Sequence, residues 1–225
     1  MSGYLSELAA ASGLFHVDYQ IYFLTQGPEG KKRQSSPEFT HTVFDNRGYI
    51  YGPLRYFLPI PRLGDYRIIL VVRDPRDILT SQYYSIRNSH PQVSARMIDR
   101  RSRAQSMTID EHVRNEADRF LRTFDEYIDQ LCIQPDVLVL KYEDMIRDFP
   151  SFLSAISDHC GLHLNEEQLK VLDRQHEFAV IDENPHSHKR NVKAGDYRNK
   201  LQPETIEWLN LKFKRVLRHF NYSIE

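Results

Sequence analysis

The chain has 225 residues, 40% hydrophobic and 12% aromatic, enough to bury a sizeable core and to read as one domain over 1–225. Thirty basic and thirty-one acidic residues leave a formal charge of −1, so no global field points to nucleic acid or to a membrane surface, and any anion recognition has to be local. Two cysteines, Cys132 and Cys160, form no Cys-x-x-Cys pair and the histidines no His-Glu-x-x-His, which predicts no disulfide framework and no metal; without an apolar run or a signal pattern, the expected location is cytoplasmic.

In chain order, Ser2 to Ser12 predicts a helix with Leu5, Leu8 and Ala9 on its apolar stripe and Gly13 as its terminator. His16 to Thr25, where Val17, Tyr19, Ile21 and Phe23 alternate, predicts a strand or extended segment, and Gly27 to Pro37 a polar loop. Ile68, Ile69, Leu70, Val71 and Val72 form a continuous aliphatic run, the pattern of a strand buried on both faces, predicted over 67–73. Asp74 can cap the next helix and Pro75 fits its first turn, so a helix is expected over 75–88, followed by a polar, arginine-rich stretch to Gln105.

Thr108 and Glu111 match a capping box, and Val113, Ala117, Phe120, Leu121, Phe124, Ile128 and Leu131 recur at helical spacing behind it. Val137 to Leu140 predicts a second buried strand that ends at Lys141-Tyr142. Helical spacing returns over 144–160 and 165–176, and in a final helix from Pro203 with Ile206, Leu209, Phe213, Val216, Leu217 and Phe220 on one face. Strands alternating with helices imply an α/β fold, a mostly parallel central sheet flanked by helices.

The first buried strand runs into Arg73-Asp74-Pro75-Arg76-Asp77, and the helix behind it carries Ser81. Ligands of open α/β sheets bind at the C-terminal edge of the strands. A guanidinium at that edge, with helix amides and a hydroxyl nearby, makes an anion site, most simply for a phosphate. By itself the same cluster also fits solvated charges that close a strand. Tyr142, Glu143 and Asp144 stand at the end of the second strand, level with Arg73 if the strands are parallel; alone, they fit a ring that plugs the sheet end and acids that start a helix.

The wording R-D-P-R-D-x-x-x-S after such a strand resembles the 3′-phosphate segment of the sulfotransferases that use 3′-phosphoadenosine 5′-phosphosulfate, PAPS. Leu140-Lys141-Tyr142-Glu143-Asp144-Met145 is similar to the segment whose Tyr contacts the donor's adenine, and His188 to Asn199 resembles the C-terminal R-K-G-x-x-G-D-W-K loop that folds over the donor. In that loop Arg190, Gly195, Asp196, Tyr197 and Arg198 fit, whereas Asn191 stands where a Lys is usual and Val192 where a Gly is usual. The resemblance implies a P-loop-containing nucleoside triphosphate hydrolase-like fold of the sulfotransferase type. It places Arg73, Ser81 and Arg190 at the donor's 3′-phosphate and Tyr142 at its adenine, with PAPS as co-substrate.

Gly48 to Arg55 resembles, more weakly, the segment where the family places acceptor-binding and base residues; His41, Asp45 and Arg55 are the catalytic candidates of this region, none singled out by a motif. The family opens with a strand and a loop like P-K-S-G-T-T-W that grips the 5′-phosphosulfate, and Met1 to Leu8 looks like the helix after that loop, so the sheet is expected without its first strand. The implied activity is sulfuryl transfer from PAPS to a hydroxyl or amine of a small-molecule or glycan acceptor, in a truncated sequence. Two alternatives stay open: a degenerate, non-catalytic nucleotide-binding or interaction protein on the same fold, and a nucleotide kinase, for which the chain has no G-x-x-x-x-G-K-[ST].

Overall fold

Short strands between helices make up the computed structural model, which describes residues 2–18, 44, 48–89, 95–174 and 193–224. The chain divides into two units, one drawn from Met1–Leu70, Gln130–Val139 and Asp148–Arg174, the other from Val71–Asp129, Leu140–Arg147 and Gln175–Glu225.

In the first unit, α1 (Ser2–Ala11) ends before Gly13, whose φ of 69° supplies the left-handed residue that terminates a helix. Strands β1 (Phe15–Val17) and β2 (Tyr49–Tyr51) pair in parallel, with Phe15 opposite Tyr49 and Val17 opposite Tyr51. Three residues are too few to show an alternation, so β2 has no strand signal of its own. The remainder of the 16–25 segment and the Gly27 to Pro37 loop lie outside the described residues. Phe44 and Leu58 form a small core with Tyr51, Leu54, Ile60 and Tyr66 around it, and the Tyr66 hydroxyl donates to the Phe44 carbonyl at 3.0 Å.

Strands β3 (Ile68–Val72) and β4 (Val137–Lys141) are hydrogen-bonded neighbours, and each runs from the first unit's residues into the second's. At one end the Ile68 N–H donates to the Asp136 carbonyl at 2.9 Å, and at the other the Asp74 N–H donates to the Glu143 carboxylate at 3.0 Å, so the pair is parallel. Leu70 and Val72 are buried, but Ile68, Ile69 and Val71 are half-buried and Val139 keeps 39% exposure. Burial on both faces is therefore only partly realised in this two-stranded described sheet.

Past β3, α2 (Pro75–Tyr84) starts as expected, with the Asp74 carboxylate accepting from the Arg76 N–H and Pro75 in the first turn, and then widens into a π-type turn over Ser85–Ser89. The arginine-rich stretch is a helix, α3 (Ala95–Ser106), which no prediction covered. Its period is masked because polar side chains make its contacts: Arg101 Nε donates to the Ile86 carbonyl at 3.1 Å and Arg100 pairs with Glu116 at 3.6 Å. The capping box at Thr108 and Glu111 forms with both hydrogen bonds, opening α4 (Ile109–Glu126), which buries Val113, Ala117 and Phe124.

After β4 come α5 (Tyr142–Arg147), α6 (Phe149–Cys160) and α7 (Glu166–Leu172). The single helical span expected over 144–160 breaks at Asp148, which leaves helical geometry to accept from the Ser151 N–H and cap α6. A four-residue turn, α8 (Tyr197–Lys200), precedes α9 (Pro203–Lys212) and α10 (Lys214–His219), so the expected final helix is also two pieces, divided at Phe213. Leu209, Phe213, Val216, Leu217 and Phe220 are buried as predicted, while Ile206 is half-buried.

Candidate functional site

The charged cluster after β3 is buried: Asp74, Arg76 and Asp77 are 6%, 1% and 2% exposed. This excludes the solvated-charge reading, because burying such groups is tolerated only where each is paired. Arg76 donates through Nε and one terminal nitrogen to both Asp74 carboxylate oxygens at 2.9 and 2.6 Å. Its terminal nitrogens also donate to Asn210 Oδ1 at 2.6 Å and to the Ser223 carbonyl at 2.8 Å, and its guanidinium lies 4.3 Å from the Tyr197 ring centre. One side of this guanidinium thus holds Asp74 of its own segment, and the rest holds Asn210, Ser223 and Tyr197.

Asp77, in the first turn of α2, accepts from the Gly195 N–H at 2.6 Å and from the Tyr197 N–H at 3.0 Å. Burial raises its carboxyl above the ordinary value, and the two amides and the Arg73 charge pull in the opposite direction. Glu143 ties the ends of the two strands to the C-terminus: one oxygen accepts from the Asp74 N–H and the other from the Tyr222 hydroxyl, both at 3.0 Å. Burial and the Glu143 charge drive the Tyr222 hydroxyl far above the usual tyrosine value.

Arg73 differs from Arg76. It is half-buried, its guanidinium lies 4.6 Å from the Tyr142 ring centre, and its Nε is buried with no hydrogen-bond partner among the described residues. A buried N–H without an acceptor is costly, so this nitrogen is suited to an acceptor brought by a ligand, and a phosphate oxygen fits its charge and geometry. The sequence-predicted pair of Arg73 and Tyr142 is thus brought together. Ser81 is half-buried two turns into α2, roughly 9 Å along the helix axis from Pro75.

Arg55 is exposed and belongs to the first unit, whereas Arg73, Ser81 and Tyr142 belong to the second. His41, Asp45 and Arg190 lie outside the described residues. Four residues of the cluster had no predicted role in it: Arg76, Asp77, Glu143 and Tyr222. The density of alternating charge at 73–77 marked Arg76 and Asp77 and the Leu140–Met145 segment contained Glu143, but no motif pointed to Tyr222. Among the described residues no group of three His, Cys, Asp or Glu could hold a metal ion, and no helix is long and apolar enough to cross a membrane.

The sulfotransferase domain matches residues 57–221, and the chain belongs to this family. Sulfotransferase 6B1 of Danio rerio is 26% identical over 171 residues, 76% of this chain and 51% of that protein, so the chain spans about half the length of this curated relative. The crystal structure of mouse sulfotransferase SULT7A1 complexed with PAP superposes with a TM-score of 0.54 at 16% identity, covering 97% of this chain and 89% of that one. Retinol dehydratase, solved in complex with androsterone and the inactive cofactor PAP, gives 0.47 at 21% identity over 88% of this chain and 61% of that one. The fold is the P-loop-like α/β fold of the sulfotransferases.

Proposed function

We propose that this chain is a PAPS-dependent sulfotransferase domain, one domain over 1–225, that moves a sulfuryl group from PAPS to a hydroxyl or amine of a small-molecule or glycan acceptor in the cytoplasm. Arg73, Ser81 and Arg190 hold the donor's 3′-phosphate, and Tyr142 lies at its adenine. The observation that carries this reading is the Arg73 guanidinium, held over Tyr142 with a buried Nε that has no partner among the described residues. Family membership supports sulfuryl rather than phosphoryl transfer. The mouse relative was crystallised with PAP, and a 3′-phosphate supplies the acceptor oxygens that an open guanidinium needs. Transfer would proceed in line, by positioning of donor and acceptor and by cationic stabilisation of the leaving phosphate, with His41, Asp45 and Arg55 as catalytic candidates without assigned roles.

The test is ligand-induced stabilisation. 3′-Phosphoadenosine 5′-phosphate (PAP) at about 100 times its dissociation constant should stabilise the chain by about 2.7 kcal/mol. AMP at the same concentration should give much less, because it lacks the phosphate assigned to Arg73. Equal shifts from the two nucleotides would count against the assignment.

A further inference from the structure

We infer that Asp77 is a positioning residue that docks the C-terminal loop onto the donor site, an inference that rests on the donor reading above. Its carboxylate takes two backbone amides from one tight turn, Gly195 at 2.6 Å and Tyr197 at 3.0 Å, with Asp196 between them. Gly195 has a φ of 80°, a conformation that favours glycine and that turns both amides towards one acceptor. The clamp holds the loop by its backbone.

Asp77 also sits midway between the two proposed donor ligands of its own segment, four residues after Arg73 and four before Ser81. One carboxylate therefore fixes the turn to the start of α2, between the strand end that carries Arg73 and the helix that carries Ser81. The Tyr197 ring completes the dock: it is fully buried between the Arg76 guanidinium at 4.3 Å and that of Arg198 at 4.7 Å. A turn held in this way is ordered before any ligand arrives, so its own ordering cost is already met.

The experiment is calorimetric titration of wild type, Asp77→Asn, Gly195→Ala and the double variant with PAP and with AMP. Asp77→Asn keeps the side-chain shape but removes the charge and turns one acceptor into a donor that faces an amide. Gly195→Ala attacks the same turn from its other side, since an added Cβ would strain the backbone and meet an Arg198 terminal nitrogen at 2.9 Å. Each single variant should weaken PAP about 10- to 100-fold and AMP less than about 3-fold, and the double variant should be no worse than the weaker single, because both break one dock. Equal losses for PAP and AMP, or losses that add in the double variant, overturn the inference. A wild type that prefers PAP, beside variants that keep the full preference, overturns this inference alone. A wild type without any preference overturns the donor reading and the inference with it. If Asp77→Asn does not fold, Gly195→Ala decides.

Discussion

Two arginines three positions apart should respond to truncation in opposite ways. Arg76→Ala removes four hydrogen bonds, two of them to Asp74, and leaves that carboxylate buried at 6% exposure with its counter-charge gone. Breaking such a buried pair from one side costs about 3–5 kcal/mol, a large share of the roughly 5–15 kcal/mol that holds a domain folded. Arg73→Ala removes the contact to the Tyr142 ring, worth about 0.5–2 kcal/mol, but also removes a buried donor without a partner among the described residues, a relief of about 1–3 kcal/mol. These terms nearly cancel, so its stability should stay within about 1 kcal/mol of wild type while the PAP preference disappears. Urea unfolding followed by circular dichroism, with and without PAP, reads both quantities. An Arg73→Ala variant as unstable as Arg76→Ala would show that Arg73 is a brace rather than a ligand group.

His112 is 5% exposed and bonded to Gln82 Oε1 at 3.2 Å, and burial holds its pKa below the ordinary 6.5. Between that lowered value and 6.5 the unfolded chain binds a proton that the folded chain refuses. His112 therefore contributes full stability above pH 6.5, and loses it as the pH falls, with a slope of up to about 1.4 kcal/mol per pH unit. His112→Gln should remove that part of the slope in unfolding curves measured between pH 5 and 7.5; an unchanged slope would assign it to other groups. Tyr222→Phe leaves one Glu143 oxygen without its hydroxyl donor and should cost about 1–3 kcal/mol, read as a lower Tm, whereas a Tm equal to wild type would mean that water replaces the hydroxyl.

Where the determinants are local, the sequence was easy to read. Asp74 and Pro75 start α2, Thr108 and Glu111 start α4, and the aliphatic runs at 68–72 and 137–140 are strands, because each signal acts within a turn or along one strand. Arg73 and Tyr142 were legible for the same reason: each closes a strand, and parallel pairing puts the two ends side by side. Arg76 and Asp77 were not, since their partners lie 134, 147, 118 and 120 positions away. Nothing near residue 77 says that the amide of residue 195 will arrive there. The breaks at Asp148 and Phe213 were hidden by apolar spacing that continues across them, and α3 by contacts made through arginines instead of aliphatic side chains.

The segment Asn221–Ile224 is fastened at every residue: Lys141 donates to the Asn221 carbonyl, Tyr222 to Glu143, Arg76 to the Ser223 carbonyl and Asn210 to the Ile224 carbonyl. During synthesis the chain emerges from its N-terminal end. The hydrogen-bond partners of Arg76 beyond Asp74 are thus made 134 and 147 residues after it. The buried frame beside Arg73 therefore closes only after Asn210 and Ser223 have been made, so a nascent chain that stops short of them carries Arg76 without its distant anchors.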